Sequence, residues 1–168
     1  MHIIYAFLKN YACSRIFIIF VQTLTTMETP QKTPAELFAA QALASQVRKE
    51  LTDNILPYWM QKMTTPEGGF YGRIDGNEQL DPSAPIGNIM TARMLWTFAS
   101  AYRLLGNKEY LDMAQKAKEF IISRFYDHEL GGTYWSLSSD GTPLDTKKQI
   151  YAIAFTIYGL AELNRATG

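Results

Sequence analysis

A chain of 168 residues can bury one ordinary core, and a composition of 47% apolar and 19% charged residues excludes a disordered tail. Lys plus Arg and Asp plus Glu each number 16, so the net charge is zero and nothing electrostatic favours nucleic acid or an acidic membrane surface. The single cysteine, Cys13, can close no internal disulfide, and His2 and His128 lack metal-ligand spacing, so neither an oxidising compartment nor a metal is required.

Residues 1–26 read as an atypical apolar extension carrying Lys9 and Arg15, with an apolar run from Ile16 to Val21 too short to span a bilayer. Basic residues before a short apolar stretch suit a signal peptide, but "QTLTTMETPQ" offers no small-x-small cleavage site. The plainer reading starts the protein at Met27, with a polar lead over 27–33 and a cytoplasmic location. Thr33-Pro34-Ala35-Glu36 then combines a capping hydroxyl, a proline at the first helical position and a glutamate able to reach back. In the helix that follows, Leu43, Val47, Leu51 and Ile55 form one stripe, which predicts one-sided burial. Pro57 is expected to kink or end it, and Pro66 with Gly68-Gly69 opens a loop.

From Gly87 the pattern changes. "NIMTARMLWTFASAYRLL" is apolar or small around nearly its whole circumference, with Arg93 the only charge before Arg103, which predicts a helix buried on most sides. Gly106 ends it and Asn107 caps the next, where Leu111, Ala114, Ala117 and Ile121 face inward and Lys108, Asp112, Gln115 and Glu119 outward. After a second Gly-Gly loop, "KKQIYAIAFTIYGLAELN" is apolar all round from Ile150 to Leu163.

The two loops echo one another. "GGFYGRIDGNEQLDP" and "GGTYWSLSSDGTPLDT" share the order Gly-Gly, aromatic, Asp-Gly, Leu-Asp; Gly68 to Gly131 is 63 residues and Leu80 to Leu144 is 64. "FYGRI" and "TYWSL" are strand-like, and Asp-Gly signals a turn. Half-exposed helices thus alternate with buried ones at a fixed period, the signature of a repeated helical hairpin. The fold class expected is all-α: part of an α/α toroid, about two hairpins with one helix of each pair inside, one outside, and short β-like loops at one rim.

At these residues the chain resembles the N-terminal part of the N-acylglucosamine 2-epimerase superfamily, most closely its cellobiose 2-epimerase branch. The resemblance runs collinearly from about Val47 to Gly168 and includes both loops and both apolar helices. It implies an (α/α)6 barrel, with residues 34–168 as its first third. The reaction it implies is inversion at C2 of the reducing-end sugar of a β-1,4-linked disaccharide or related aldose. No external cofactor is involved: one histidine removes the C2 proton, an enediolate forms, and a second histidine returns a proton on the other face. Imidazole suits that task because it is both substantially deprotonated and basic near neutrality.

Carried over by position, Arg93 in "TARMLW" matches the family's active-site arginine, whose permanent charge suits the developing enediolate. Tyr151 in "KKQIYAIAF" matches a tyrosine that hydrogen-bonds the sugar. From the residues alone, Arg93 reads equally as half of a buried ion pair, since a lone charge in an apolar helix needs an answering group. Tyr151 and Phe155 could be core packing, and Trp96 is read as packing. Tyr71 and Trp135 could stack on sugar rings or plug their own loops. His128 matches neither family histidine and reads as a surface turn residue. One departure is visible: Ile86 stands where relatives commonly carry a lysine, which changes a contact at the rim of the site.

A six-hairpin ring at this period would need roughly 380 residues, and the resemblance implies that the catalytic histidines lie beyond Gly168. Three readings follow. The chain is an epimerase fragment inactive alone, with a complementary C-terminal fragment as partner; or a non-catalytic carbohydrate- or partner-binding remnant; or a glycoside hydrolase relative using paired carboxylates among Asp75, Asp81, Asp140 and Asp145. The last ranks lowest because those aspartates occupy turn positions. In the first two readings the inner helices expose apolar faces.

Overall fold

The structure, a computed structural model, describes residues 33–66 and 68–168. The apolar extension, Cys13, His2 and nearly all of the polar lead lie outside the described residues. The chain divides into two compact units at Arg48/Lys49.

Helix α1 (Pro34–Glu50) begins as its sequence dictates. The Thr33 N–H donates to Glu36 Oε2 at 2.7 Å, and the Glu36 N–H returns a bond to Thr33 Oγ1 at 3.3 Å. This reciprocal cap satisfies two of the donors a helix start leaves open. The predicted burial does not follow, because no residue of α1 is buried and Leu43 and Val47 are exposed. An apolar stripe marks a face that can be covered without supplying the cover.

The second unit opens with a π-helical turn, Leu51–Ile55, followed by α2 (Leu56–Lys62). Pro57 does not end the helical path. It sits in the first turn of α2, directly after the π-helical turn. The wide turn ahead of it supplies the break in register that the proline needs. A second π-turn, Ile121–Phe125, closes α4 (Lys108–Phe120).

Between these lie β1 (Arg73–Ile74) paired antiparallel with β2 (Leu80–Asp81), then β3 (Ile86–Gly87), α3 (Asn88–Leu105), and the two-residue link Gly106-Asn107 into α4. Asn107 caps α4 through its side chain, accepting the Glu109 N–H at 3.0 Å. Strands β4 (Ser136–Leu137) and β5 (Pro143–Asp145) lead into α5 (Ile150–Thr167). The strands are shorter than the aromatic runs that suggested them. β3 pairs not within its own loop but with β4, Ile86 opposite Leu137 and Gly87 opposite Ser136, which ties the second loop to the start of α3. Ile86 is a buried core residue of that sheet and lines a cavity with Phe70 and Phe120.

The repeat is real in the backbone. Tyr71 N–H to Met63 O is matched by Tyr134 N–H to Phe125 O; Asp75 N–H to Gln79 O by Ser138 N–H to Thr142 O; Glu78 N–H to Asp75 O by Gly141 N–H to Ser138 O. The last two pairs repeat at a spacing of 63 (138 − 75, 141 − 78). The Asp-Gly dipeptides do not share that spacing: Asp75 is equivalent to Ser138, and Gly141 to Glu78. Both Glu78 and Gly141 take the left-handed conformation, at φ 59° and 82°. The turn geometry repeats while its sequence signal has slid by two residues.

The core is built from Leu56, Phe70, Leu95, Phe98, Ile121, Phe125 and Leu137, all fully buried, with Ala114 and Ala117 of α4 facing it as predicted. Helices α3 and α5 run in the same direction: Asn88 at the start of α3 meets Thr156 toward the middle of α5, and Ser100 and Arg103 meet Glu162 further on. Gly159 is buried at this contact. A Cβ added there would lie 2.8 Å from the Ala92 carbonyl oxygen and 3.1 Å from Leu95 Cδ2. Gly159→Ala is therefore expected to lower stability by about 1–3 kcal/mol, read as a fall in thermal and urea midpoints, although alanine is the better helix former.

Candidate functional site

Helices α3 and α5 each keep one face uncovered among the described residues. On α5, Ile150 is 85% exposed, Tyr151 62% and Tyr158 52%, with Ala154, Ile157 and Ala161 beside them. The helix is apolar all round but buried on one side only, through Ala152, Thr156, Gly159, Glu162 and Leu163, and it exposes an apolar face as expected of an inner helix in a partial ring. Hydropathy alone does not distinguish a face that has a neighbour from one that does not.

Of the two readings of Arg93, the buried ion pair does not form. Arg93 lies on the open face of α3, exposed, with no hydrogen bond or ion pair among the described residues. The buried charge of this helix pair is Glu162, overlooked within the apolar run of α5. Its carboxylate accepts from the Ser100 hydroxyl at 2.7 Å and from Arg103 Nε at 2.8 Å, with Arg165 at 3.8 Å. Burial pushes its carboxyl up, but the Arg103 and Ser100 bonds outweigh this and hold it below the ordinary glutamate value. The answering group expected for Arg93 thus belongs to Arg103, one face away.

Four aromatic rings line the open side in sequence. Tyr151 meets Phe155 edge-on at 5.0 Å, Phe155 meets Tyr158 edge-on at 6.5 Å, and Tyr158 stacks on Trp96 at 5.2 Å with planes 10° apart. Arg93 precedes Trp96 by three residues and so shares its side of α3. Sequence reasoning took Trp96 as packing and passed over Tyr158. The helical spacing of Tyr151, Phe155 and Tyr158 was the available signal, but the stacking partner on α3 could come only from the fold.

The loop aromatics part company. Trp135 is half-buried; its N–H bonds Asp145 O at 2.9 Å and its carbonyl accepts the Asn88 N–H at 3.1 Å, so it is held at the start of α3. Tyr71 is half-buried in the first loop and lines a different cavity, of about 510 Å³, with Gln61, Thr64 and Leu80. Another cavity, of about 630 Å³, lies among Thr65, Phe70, Lys116, Phe120 and Arg124; of the residues singled out from the sequence, Ile86 and the turn residue Asp140 line it, and Arg93, Tyr71, Trp135, Tyr151 and Phe155 do not. His128 is exposed, its Nε2 2.9 Å from Ile122 O and its ring against Tyr126, as a turn residue should be. The four loop aspartates each accept a backbone N–H two residues on, from Asn77, Ser83, Thr142 and Lys147, which gives them structural work. Among the described residues no cluster of His, Cys, Asp and Glu could hold a metal ion, and no helix is long and apolar enough to cross a membrane.

An arginine free of any carboxylate, set beside stacked rings on an open helical face, is suited to a polar ligand with apolar ring faces. The sequence pattern of the N-acylglucosamine 2-epimerase (GlcNAc 2-epimerase) family matches residues 69–168, and the chain belongs to that family. The cellobiose 2-epimerase of Bacteroides fragilis is 61% identical over 127 residues, covering 75% of this chain and 32% of that protein. That of Ruminococcus albus is 44% identical over 126 residues, again 75% and 32%. Among solved structures, cellobiose 2-epimerase from Spirochaeta thermophila superposes with a TM-score of 0.74 at 40% identity, over 82% of this chain and 34% of that one. The enzyme from Bacillus thermoamylovorans gives 0.72 at 37%, over 76% and 33%. The chain spans about a third of the length of the curated relatives it matches.

The second loop is pinned by Asp127, which is buried. Its carboxylate takes Lys148 Nζ at 2.7 Å and the N–H groups of Leu130 and Glu129 at 3.0 Å. The Lys148 bond first, then that of Leu130, holds its carboxyl at about 2, below the ordinary 3.8. A lowered carboxyl value means the stabilisation is complete above the ordinary value and is lost as pH falls through about 2. Lys148→Met is expected to raise the Asp127 titration midpoint, followed by NMR, by about one unit, and to move acid unfolding to higher pH.

Proposed function

We propose that the chain forms a sugar-holding sector of a disaccharide 2-epimerase of the cellobiose type. In this reading α3 and α5 are neighbouring inner helices of an α/α toroid and α4 is an outer one, an assignment supported by the parallel run of α3 and α5 and by the 63-residue repeat of the loops. Arg93 supplies a permanent positive charge near the oxygens where an enediolate develops, a role favoured by its lack of a competing carboxylate. Tyr151 offers a hydroxyl to the sugar, and Phe155 a ring edge beside it. Trp135 stands at the start of α3, where the second loop meets that face, and Tyr71 serves the first loop.

The observation that carries the reading is the exposed, unpaired Arg93 beside the run of rings from Trp96 to Tyr151, in a chain this similar to cellobiose 2-epimerases. Proton transfer at C2 needs groups that titrate near neutrality on both faces of an enediolate. The chain holds two histidines, His2 and His128. His128 belongs to a turn, bonded through Nε2 to Ile122 O, away from the aromatic run. In this reading the chain by itself binds the sugar without turning it over.

Titrating the purified chain with cellobiose, followed by tryptophan fluorescence and by NMR, is expected to show saturable binding with no epimerised disaccharide after prolonged incubation. Arg93→Ala is expected to weaken that binding by about tenfold, the loss of one charge-assisted hydrogen bond. Turnover by the chain alone would overturn the inactive reading; failure to bind cellobiose would overturn the sugar-holding one.

A further inference from the structure

We infer that Asn88 is a positioning residue, whose buried carboxamide keys the loop bearing Trp135 to the helix pair bearing Arg93 and Phe155, and through that loop sets sugar affinity; its role in affinity rests on the sugar-holding reading above.

Asn88 is the first residue of α3 and is completely buried. Its backbone N–H donates to the Trp135 carbonyl at 3.1 Å. Its side-chain Nδ2 donates to Thr133 Oγ1 at 2.7 Å, and its Oδ1 accepts from the Thr156 hydroxyl at 3.2 Å. One residue therefore joins three segments far apart in sequence: the start of α3, the second loop and the middle of α5. Each contact adjoins a residue of the candidate site. Thr133 lies two residues before Trp135, Thr156 directly follows Phe155, and Arg93 comes five residues after Asn88 on α3.

The residue type is what the task demands. A primary amide both donates and accepts at its tip, so it can serve one hydroxyl as donor and another as acceptor. Aspartate has no donor when ionised and would bury a charge that no cation here answers. Leucine would strand the Thr133 oxygen in the core. Thr156 is the less dependent arm, because its hydroxyl also reaches the Ala152 carbonyl at 3.1 Å. The loop is not held by Asn88 alone. Gly87 opposite Ser136, and Ile86 opposite Leu137, keep the strands paired, and the backbone bonds from Tyr134 to Phe125 O and from Trp135 to Asp145 O remain, so loss of the amide shifts the Thr133–Trp135 segment locally without undoing the loop.

The test uses the full chain labelled with 5-fluorotryptophan, whose three sites are Trp59, Trp96 and Trp135. Fluorine spectra without sugar are compared for the wild type, Asn88→Ala and the isosteric Thr133→Val, which keeps the fold if the alanine variant does not; Trp135→Phe assigns the signal. The Trp135 resonance is expected to shift or broaden in both variants while that of Trp59 stays in place. An unmoved Trp135, or all three resonances moving together, would overturn positioning. Cellobiose affinity supplies the second arm: Asn88→Ala is expected to cost about tenfold in the wild type but less than about twofold in a Trp135→Ala background, because the two act as one unit. Equal costs in both backgrounds would refute coupling through Trp135. If the wild type binds no cellobiose, the sugar-holding reading and the affinity role fall together, and the fluorine spectra still decide whether Asn88 positions Trp135.

Discussion

Everything on the open face depends on how closely α3 and α5 can lie. At their contact the backbone of Gly159 comes so near the Ala92 carbonyl that a methyl group would sit 2.8 Å from its oxygen. That approach lets the Trp96 and Tyr158 rings stack across the two helices. It also buries the carboxylate of Glu162 against Ser100 and Arg103, and the carboxamide of Asn88 between Thr133 and Thr156. A wider spacing would open voids around polar groups that only close partners can satisfy. No buried side-chain nitrogen or oxygen among the described residues lacks a hydrogen-bond partner.

The polar groups at that contact are divided between two jobs. Glu162 and Asn88 are spent on holding helices and loop together, and both are buried. Arg93 is left out of this arrangement. Because Arg103 answers Glu162, no carboxylate on α5 competes for Arg93, and its guanidinium faces outward beside rings. Arg93 makes no hydrogen bond or ion pair among the described residues. The same logic separates the acids: the loop aspartates are engaged as turn-makers by backbone N–H groups two residues on; the Ser83 hydroxyl and then its N–H hold the carboxyl of Asp81, and the Thr142 N–H and then its hydroxyl that of Asp140, below their ordinary values.

Much of the fold was legible from local chemistry. The Thr33-Glu36 cap, the Asn107 cap and the inward face of α4 all formed as their spacing dictated, because each depends on residues within a turn or two of one another. The 63-residue repeat was legible through Gly68 and Gly131, yet its finer alignment misled. The Asp-Gly dipeptides mark the same kind of turn at different points, Glu78 adopting the left-handed conformation that glycine takes at 141. In the site, Arg93 and Tyr151 were identified by position in a resemblance. Tyr158 and Asn88 were passed over, since an aromatic in an apolar run and an asparagine at a helix start each have commonplace explanations.

The sequence by itself determined where helices begin and end, that two similar loops separate them, and which residues are apolar enough to be buried, because those properties reside in single residues and their near neighbours. The tertiary structure alone decided which apolar faces are covered. It left Leu43, Val47, Tyr151 and Tyr158 exposed, freed Arg93, and drew Glu162 and Asn88 into the interior. Periodicity states that a face can be buried; only the arrival of a partner helix or loop, several tens of residues away, determines that it is.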